Sequence, residues 1–396
     1  MTHALAAGDD TPPLPQTSSA RPAPEEPSVQ LRADSPAALL SVVPHLLGFA
    51  PRASLVVIGT ERPGGRVRVT LRYDLPDPPG AGAAAEIAAH AVGVLGSQQL
   101  TTLIAVGYGT RTLADPVAEA LRCAAAQAGI GIGDILRVEG RRFWSYLCTN
   151  EACCPAAGTP FALDSRAAQA VTRAGGQVLP DRAAVAARVA PLGGIAAESM
   201  RQATRRAERH AYQLLARVRK SARLGAARRM IAAEGLNTVS TMIRTYRAGG
   251  RYATDYQVAW ITVALRDLRV RDDAWARMDP AHADAHLRLW TDVTRRARPG
   301  YVAAPASLLA FVAWQSGDGA LANVALDRAL ADEPHYSMAQ LLRQVITAGA
   351  PPSLARLPMT PEEVAASYAD LDDELDADDG RSPDPDVHDP DPACEP

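Results

Sequence analysis

EGRRFWSYLCTNEACCPAAGTP, running from Glu139 to Pro160, is the stretch on which the reading of this chain turns. It gathers Cys148, Cys153 and Cys154, three of the 5 cysteines, behind the aromatics Phe143, Trp144 and Tyr146 and the adjacent Arg141 and Arg142. The residues ahead of it have the punctuation of an α/β unit. Those beyond it have helical periodicity only.

Working back from that stretch, Ile132 to Glu139 and Arg141 to Leu147 form a hairpin around Glu139-Gly140. Thr101 to Gly107 (TTLIAVG) is an apolar run of the length of a buried strand. Asp115-Pro116 has the cap-then-proline signature of a helix start, with the helix ending near Gly129. Earlier, Ser54 to Gly59 (SLVVIG) is another buried run. Arg66 to Asp74 alternates, with Val67, Val69, Leu71 and Tyr73 on one face and Arg66, Arg68, Thr70 and Arg72 on the other. That pattern is a half-buried antiparallel strand. Ser35-Pro36 opens a helix that Gly48 stops, and an Ala-rich helix covers about Ala83 to Leu95. The order is α-β-β-α-β-α-β-β, a mixed sheet with helices packed on it.

Past Ser165 the apolar residues recur at helical spacing. Met200, Ala203, Ala207, Leu214, Leu215 and Val218 make one stripe with arginines opposite. Further helices are expected at 181–189, 226–247, 254–269, 281–297, 306–316, 320–332 and 337–348. Gly317-Asp318, Ala322, Ala329-Leu330 and Pro334 match the second half of a tetratricopeptide repeat, though one unit makes no solenoid. The expected organisation is therefore a segment without fixed structure at 1–30 and an α/β mixed-sheet domain at 31–165. Connecting helices come next at 166–198, then an all-α domain with one tetratricopeptide-like hairpin at 199–350, and an acidic tail without fixed structure at 351–396.

Composition narrows the function classes. The chain has 396 residues, 47% of them hydrophobic, which is ample for a large core. No run approaches the roughly 18 apolar residues of a membrane span. The N-terminus lacks a basic segment followed by an apolar run, so a cytoplasmic location is expected. Five cysteines, unevenly placed, are too few for a disulfide framework in a chain of this size. Charge is segregated. Arg201 to Gly250 carries eleven arginines and Lys220 against Glu208 and Glu234, a net +10, while Glu362 to Pro396 carries a net −13.

Three groups of residues could carry chemistry. Cys148, Cys153 and Cys154 form a C-x4-C-C cluster that could supply zinc ligands or a redox thiol. Against this, adjacent cysteines are expected to point apart, and no His lies nearby in sequence to complete a set. A fourth ligand would have to come from elsewhere, such as His45, Asp74 or Asp164; otherwise the cysteines are small buried residues. Arg141, Arg142, Trp144 and Tyr146 could stack a base or sugar and hold a phosphate, or simply cover the core. Arg205, Arg206, Arg209, Arg217, Arg219 and Lys220 could bind an anion or nucleic acid, or be a solvated helix face in an arginine-rich chain. His282 and His286 have i, i+4 spacing but lack the glutamate of HExxH. Gly129, Gly131 and Gly133 come after a helix and precede a strand, the wrong order for a dinucleotide loop.

Four separated blocks, in this order, carry a family resemblance: SPAALLSVVPHLLGFAPRASLVVIG, RRFWSYLCTNEACCPAAGTP, VALRDLRVRDDAW and GDGALANVALDRALADEPHYSMAQLL. Together they resemble the actinobacterial family catalogued as domain of unknown function 4192, over about residues 31–350. The resemblance implies a cytoplasmic protein and carries no activity, cofactor, partner or site residue with it. Function at this level is a non-enzymatic binding or scaffold protein docking a protein partner through the helical half. The alternatives are an enzyme or zinc-binding module at 141–154, and nucleic-acid or anion binding through 201–250.

Overall fold

The computed structural model describes residues 35–61, 65–75, 77, 82–163, 177–219, 224–250, 252–354 and 359–369. The N-terminal segment, Lys220, Asp164 and the tail from 370 onward lie outside them, as do the side chains of Arg217 and Arg219.

Six strands form one mixed sheet in the order β2-β1-β3-β4-β5-β6: β1 (Ser54–Glu61), β2 (Arg66–Asp74), β3 (Thr102–Tyr108), β4 (Gly131–Glu139), β5 (Arg142–Ser145) and β6 (Thr159–Pro160). Only β3 and β4 run parallel, joined by a helical crossover; the other neighbours are antiparallel. Strand alternation sorts the buried runs onto two faces. Leu55, Val57, Leu103, Ala105 and Ile135 pack under α2 (Ala83–Ser97) and α3 (Arg111–Gln127). Val56, Ile58, Val106, Leu136, Val138 and Phe143 pack under α1 (Pro36–Leu47). Ser35 caps α1 by accepting from the Ala38 N–H at 3.2 Å, and Gly48 ends it at φ 76°, as the sequence implies.

Three features depart from expectation. Helix α3 begins at Arg111 rather than after Asp115, so Pro116 sits in its second turn. Asp115 is therefore no cap; it pairs with Arg111 and receives the Tyr146 hydroxyl. Strand β6 is too short to leave a periodic signal. The single helix expected over 254–269 is broken into α7 (Asp255–Ala264) and α8 (Leu268–Ala276), because the Asp267 carboxylate caps a new start through the Arg269 N–H at 2.9 Å.

Among the described residues beyond Pro160 the only β contact is one bridge, Phe49 to Leu179. The helices are α4 (Arg182–Ala187), α5 (Gly194–Arg219), α6 (Leu224–Arg247), α7, α8, α9 (Ala283–Arg296), α10 (Ala303–Gln315), α11 (Gly319–Asp332) and α12 (Ser337–Thr347). They enclose a core around Tyr246, Trp260, Leu289, Trp290 and Phe311. Helix α10 is buried around nearly its whole circumference. The Asp332 carboxylate at the end of α11 accepts from the N–H groups of Gly300 (2.7 Å), Val302 (2.8 Å) and Ala303 (3.2 Å), satisfying donors that the start of α10 leaves over.

Part of the segment expected to lack fixed structure is ordered. Residues 361–369 are helical; Val364 is buried, and the Tyr368 hydroxyl donates to Asp272 at 2.7 Å. In sequence, the amphipathic spacing of Val364 and Tyr368 is masked by the surrounding acids.

The two histidines are not a pair. His282 precedes α9 and bonds Asp279 at 2.8 Å, whereas His286 is buried inside it. Burial lowers the His286 pKa from 6.5 to about 4. An unfolded chain takes up this proton below about pH 6.5 and the folded chain refuses it until about pH 4, so stability is lost as pH falls through that window. Urea midpoints should drop between about pH 7 and 5, less steeply in His286→Leu; parallel slopes would refute this. A second expectation concerns Gly235 in α6. A Cβ there would lie 2.8 Å from Ala264 and 2.9 Å from Val270. Gly235→Ala should therefore lower the melting temperature, although helix propensity alone favours alanine by about 1 kcal/mol.

Candidate functional site

Strand β5 ends at Ser145, and the chain then loops outward for thirteen residues before β6 brings it back. Polar bonds define this loop. Ser145 Oγ donates to Asp134 at 2.8 Å and accepts from the N–H groups of Leu147 (3.2 Å) and Cys148 (3.1 Å). The Asn150 carbonyl accepts from Cys153 (3.1 Å) and Cys154 (2.7 Å), while its side chain accepts from Ala152 at 3.0 Å. Thr159 Oγ1 donates to the Cys153 carbonyl at 3.2 Å. The result folds the loop back on itself, and the sulfurs of Cys148, Cys153 and Cys154 all lie within 4.8 Å of one another. The expectation that adjacent cysteines diverge is thus overturned. Two successive residues in a tight turn can present side chains to one centre, which extended-chain geometry forbids.

Arg142 and Trp144 are the buttresses of this loop. Arg142 donates to the carbonyls of Ala157 (3.2 Å) and Gly158 (2.7 Å). The Trp144 indole N–H donates to Ala156 at 3.0 Å, and Arg137, directly opposite on β4, stacks 3.7 Å from its ring centroid. Gly158, at φ 78°, lies so close to the indole that a Cβ would come within 2.5 Å of it. Tyr146 packs under α3, and its hydroxyl, raised in pKa by burial, stays a donor to Asp115. Arg141 is exposed at the hairpin turn. Arg142 and Trp144 hold the loop through these bonds.

The three thiols are electrically unequal. The backbone N–H of Asn150, then the thiols of Cys154 and Cys153, stabilise a thiolate on Cys148 and lower its pKa. Donating to Cys148 pushes Cys154 up to about 12. Among the described residues no His, Asp or Glu joins the cluster. His45 lies on α1, and Asp74 pairs with Arg72.

A second constellation lies in the helical half, and nothing in the local sequence marks it. A cleft of about 620 Å³ opens between the end of α4, the α6–α7 loop and α9. Its walls include Arg188, Arg288, Arg295, Tyr252, Leu287 and Asp292. These arginines come from segments about a hundred residues apart, so no charge run betrays them. Of the strip that local charge does mark, Arg205, Arg206 and Arg209 are exposed on α5 and line no part of this cleft.

A mixed six-stranded sheet carrying a thiol loop, joined to a helical half with an arginine-lined cleft, defines a two-part α/β-plus-α protein. The chain belongs to the family described as Domain of unknown function (DUF4192), whose model matches residues 36–353. No curated protein and no solved structure matches it. No described helix is long and apolar enough to cross a membrane.

The buttressed loop has a signature in thiol chemistry. Alkylation with peptide mapping over about pH 6 to 9 should label Cys148 at lower pH than Cys123, with Cys154 last. Gly158→Ala should narrow the difference in labelling between Cys148 and Cys154 and cost about 1–3 kcal/mol, since it combines strained φ with a clash. Equal rates for all thiols, or a silent Gly158→Ala, would count against this geometry.

Proposed function

We propose that this is a ligand-binding protein whose helical half takes an anionic small molecule, anchored by a phosphoryl or carboxylate group, in the cleft between α4, the α6–α7 loop and α9. The convergence of Arg188, Arg288 and Arg295 on one cleft carries the reading. The acidic residue in the lining, Asp292, is already committed: it accepts from Arg296 at 3.0 Å and from the Tyr246 hydroxyl at 2.7 Å. The lining arginines are only partly used. Arg288 gives one bond to the Tyr246 carbonyl at 3.2 Å, and Arg295 one to Ala190 at 3.4 Å. A guanidinium carries five N–H donors, so both keep donors for a forked contact with an oxyanion. Arg188 is held by Asp318 at 3.4 Å, an exposed pair of little strength that a ligand can displace.

Size supports the same reading. Ligand sites typically span about 300–1,000 Å³, with an apolar body and a few polar anchors. Leu287 supplies an apolar wall, and Tyr252, 82% exposed, lines the cleft. The tetratricopeptide-like character of α10–α11 serves as a packing device in this reading, because the buried circumference of α10 favours the cleft as the receptor. Nucleic-acid binding through Arg205, Arg206 and Arg209 is the competing reading.

Calorimetric titration with inorganic phosphate, nucleoside phosphates and polycarboxylates separates the two. Each of Arg288→Ala and Arg295→Ala should weaken the best ligand about 10- to 100-fold, as loss of a charged hydrogen bond implies. Arg205→Ala with Arg209→Ala should leave it unchanged. Loss confined to the α5 pair, or no binding of any anion, would defeat the proposal.

A further inference from the structure

We propose that Cys148, Cys153 and Cys154 hold a zinc ion through three thiolates, with the fourth coordination position turned to solvent. The inference is independent of the arginine cleft, which lies in the helical half.

The first support is geometric. Tetrahedral zinc with Zn–S bonds of about 2.3 Å holds its sulfurs about 3.8 Å apart. The three sulfurs already lie within 4.8 Å of one another, so an adjustment of about 1 Å or less at the side-chain torsions closes the set. Convergence of this kind is not a by-product of core packing. Cys153 is exposed, and Cys148 and Cys154 are only half-buried, so no apolar pressure drives them together. The loop is shaped instead by directed polar bonds from Asn150, Ser145, Thr159, Arg142 and Trp144.

The second support is chemical. Metal-binding thiols must ionise, so binding displaces their protons: one Zn²⁺ and three thiols give one tris-thiolate centre of net charge −1 and three protons to water. No electron transfer is involved. Soft sulfur donors select zinc over magnesium or calcium, and the exposure of Cys153 places the open position outward. A site with three protein ligands and one open position is the pattern of reactive rather than purely structural zinc centres.

The test uses the full chain, reduced and stripped of metal by chelation, and titrated with Co²⁺ as a spectroscopic stand-in for Zn²⁺. The expected result is saturation at one equivalent, with sulfur-to-cobalt charge-transfer absorption and intense tetrahedral d–d bands that Zn²⁺ abolishes. Cys148→Ser, Cys153→Ser and Cys154→Ser should each reduce the charge-transfer absorption and weaken binding at least tenfold. Cys123→Ser, on the exposed face of α3, should change neither. Because Cys153 is exposed, its replacement leaves the fold intact, checked by unchanged far-ultraviolet circular dichroism, and so reports ligation alone. Absence of charge-transfer absorption in the reduced protein would overturn the proposal. So would cobalt binding indifferent to the three loop substitutions, or a disulfide within the loop that survives reductant and blocks uptake.

Discussion

Phe49 is the point from which the molecule is hung. It lies in the loop between α1 and β1, yet its side chain is buried in the core of the helical half. On either side of it the backbone is clasped to Leu179: the Ala50 N–H donates to the Leu179 carbonyl at 2.9 Å, and the Leu179 N–H to Gly48 at 2.8 Å. One aromatic ring and two backbone bonds thereby join the sheet to the helices, and Gly349 meets Val94 of α2 at a second point. In one direction the clasp leads into β1, the second strand of the sheet, and through the ladder to β5 and its thiol loop. In the other it leads directly into α4 and Arg188. Arg182 binds Asp327 at 2.7 Å and Arg328 binds the Val189 carbonyl, so α4 is tied to α11 before it reaches the cleft.

At the floor of that cleft lies a partly buried ionic network. Arg296, almost enclosed, is shared by Asp255 and Asp292 and also donates to the Ala253 carbonyl at 2.9 Å. Asp255 accepts from Ser199 as well, and that bond, together with Arg296, holds its pKa below the usual carboxylate value. Buried charges of this kind are tolerated only when every partner is in place. Here the network joins α5, α7 and α9 at one point. Its consequence for the surface is that the nearby carboxylates face inward and are consumed, leaving the cleft its basic character.

The thiol loop obeys a similar logic with different materials. Side chains that the sequence offers as a ligand platform, Arg142 and Trp144, spend their donors on the carbonyls of residues 156–158. Gly158 is required because the indole occupies the space of a Cβ. The block is coherent as a unit: aromatics and arginine build the frame, and the cysteines are what the frame presents.

Period and punctuation in the chain determined much on their own. Alternation in β2, the apolar runs of β1 and β3, the Ser35-Pro36 start and the Gly48 stop are local facts, set by side-chain direction and backbone torsion over a few residues. The division between a sheet and a helical half came from the same signals, and the clustering of Cys148, Cys153 and Cys154 is a plain feature of the chain. Tertiary structure alone decided the start of α3 ahead of Pro116, the pairing of the two-residue β6 and the docking of 361–369, because packing there outweighs local propensity. It alone brought Arg188, Arg288 and Arg295 to one cleft, and turned neighbouring cysteines toward a common centre. Such convergence depends on where distant segments meet and how a turn closes, and no pattern of neighbours along a chain encodes either.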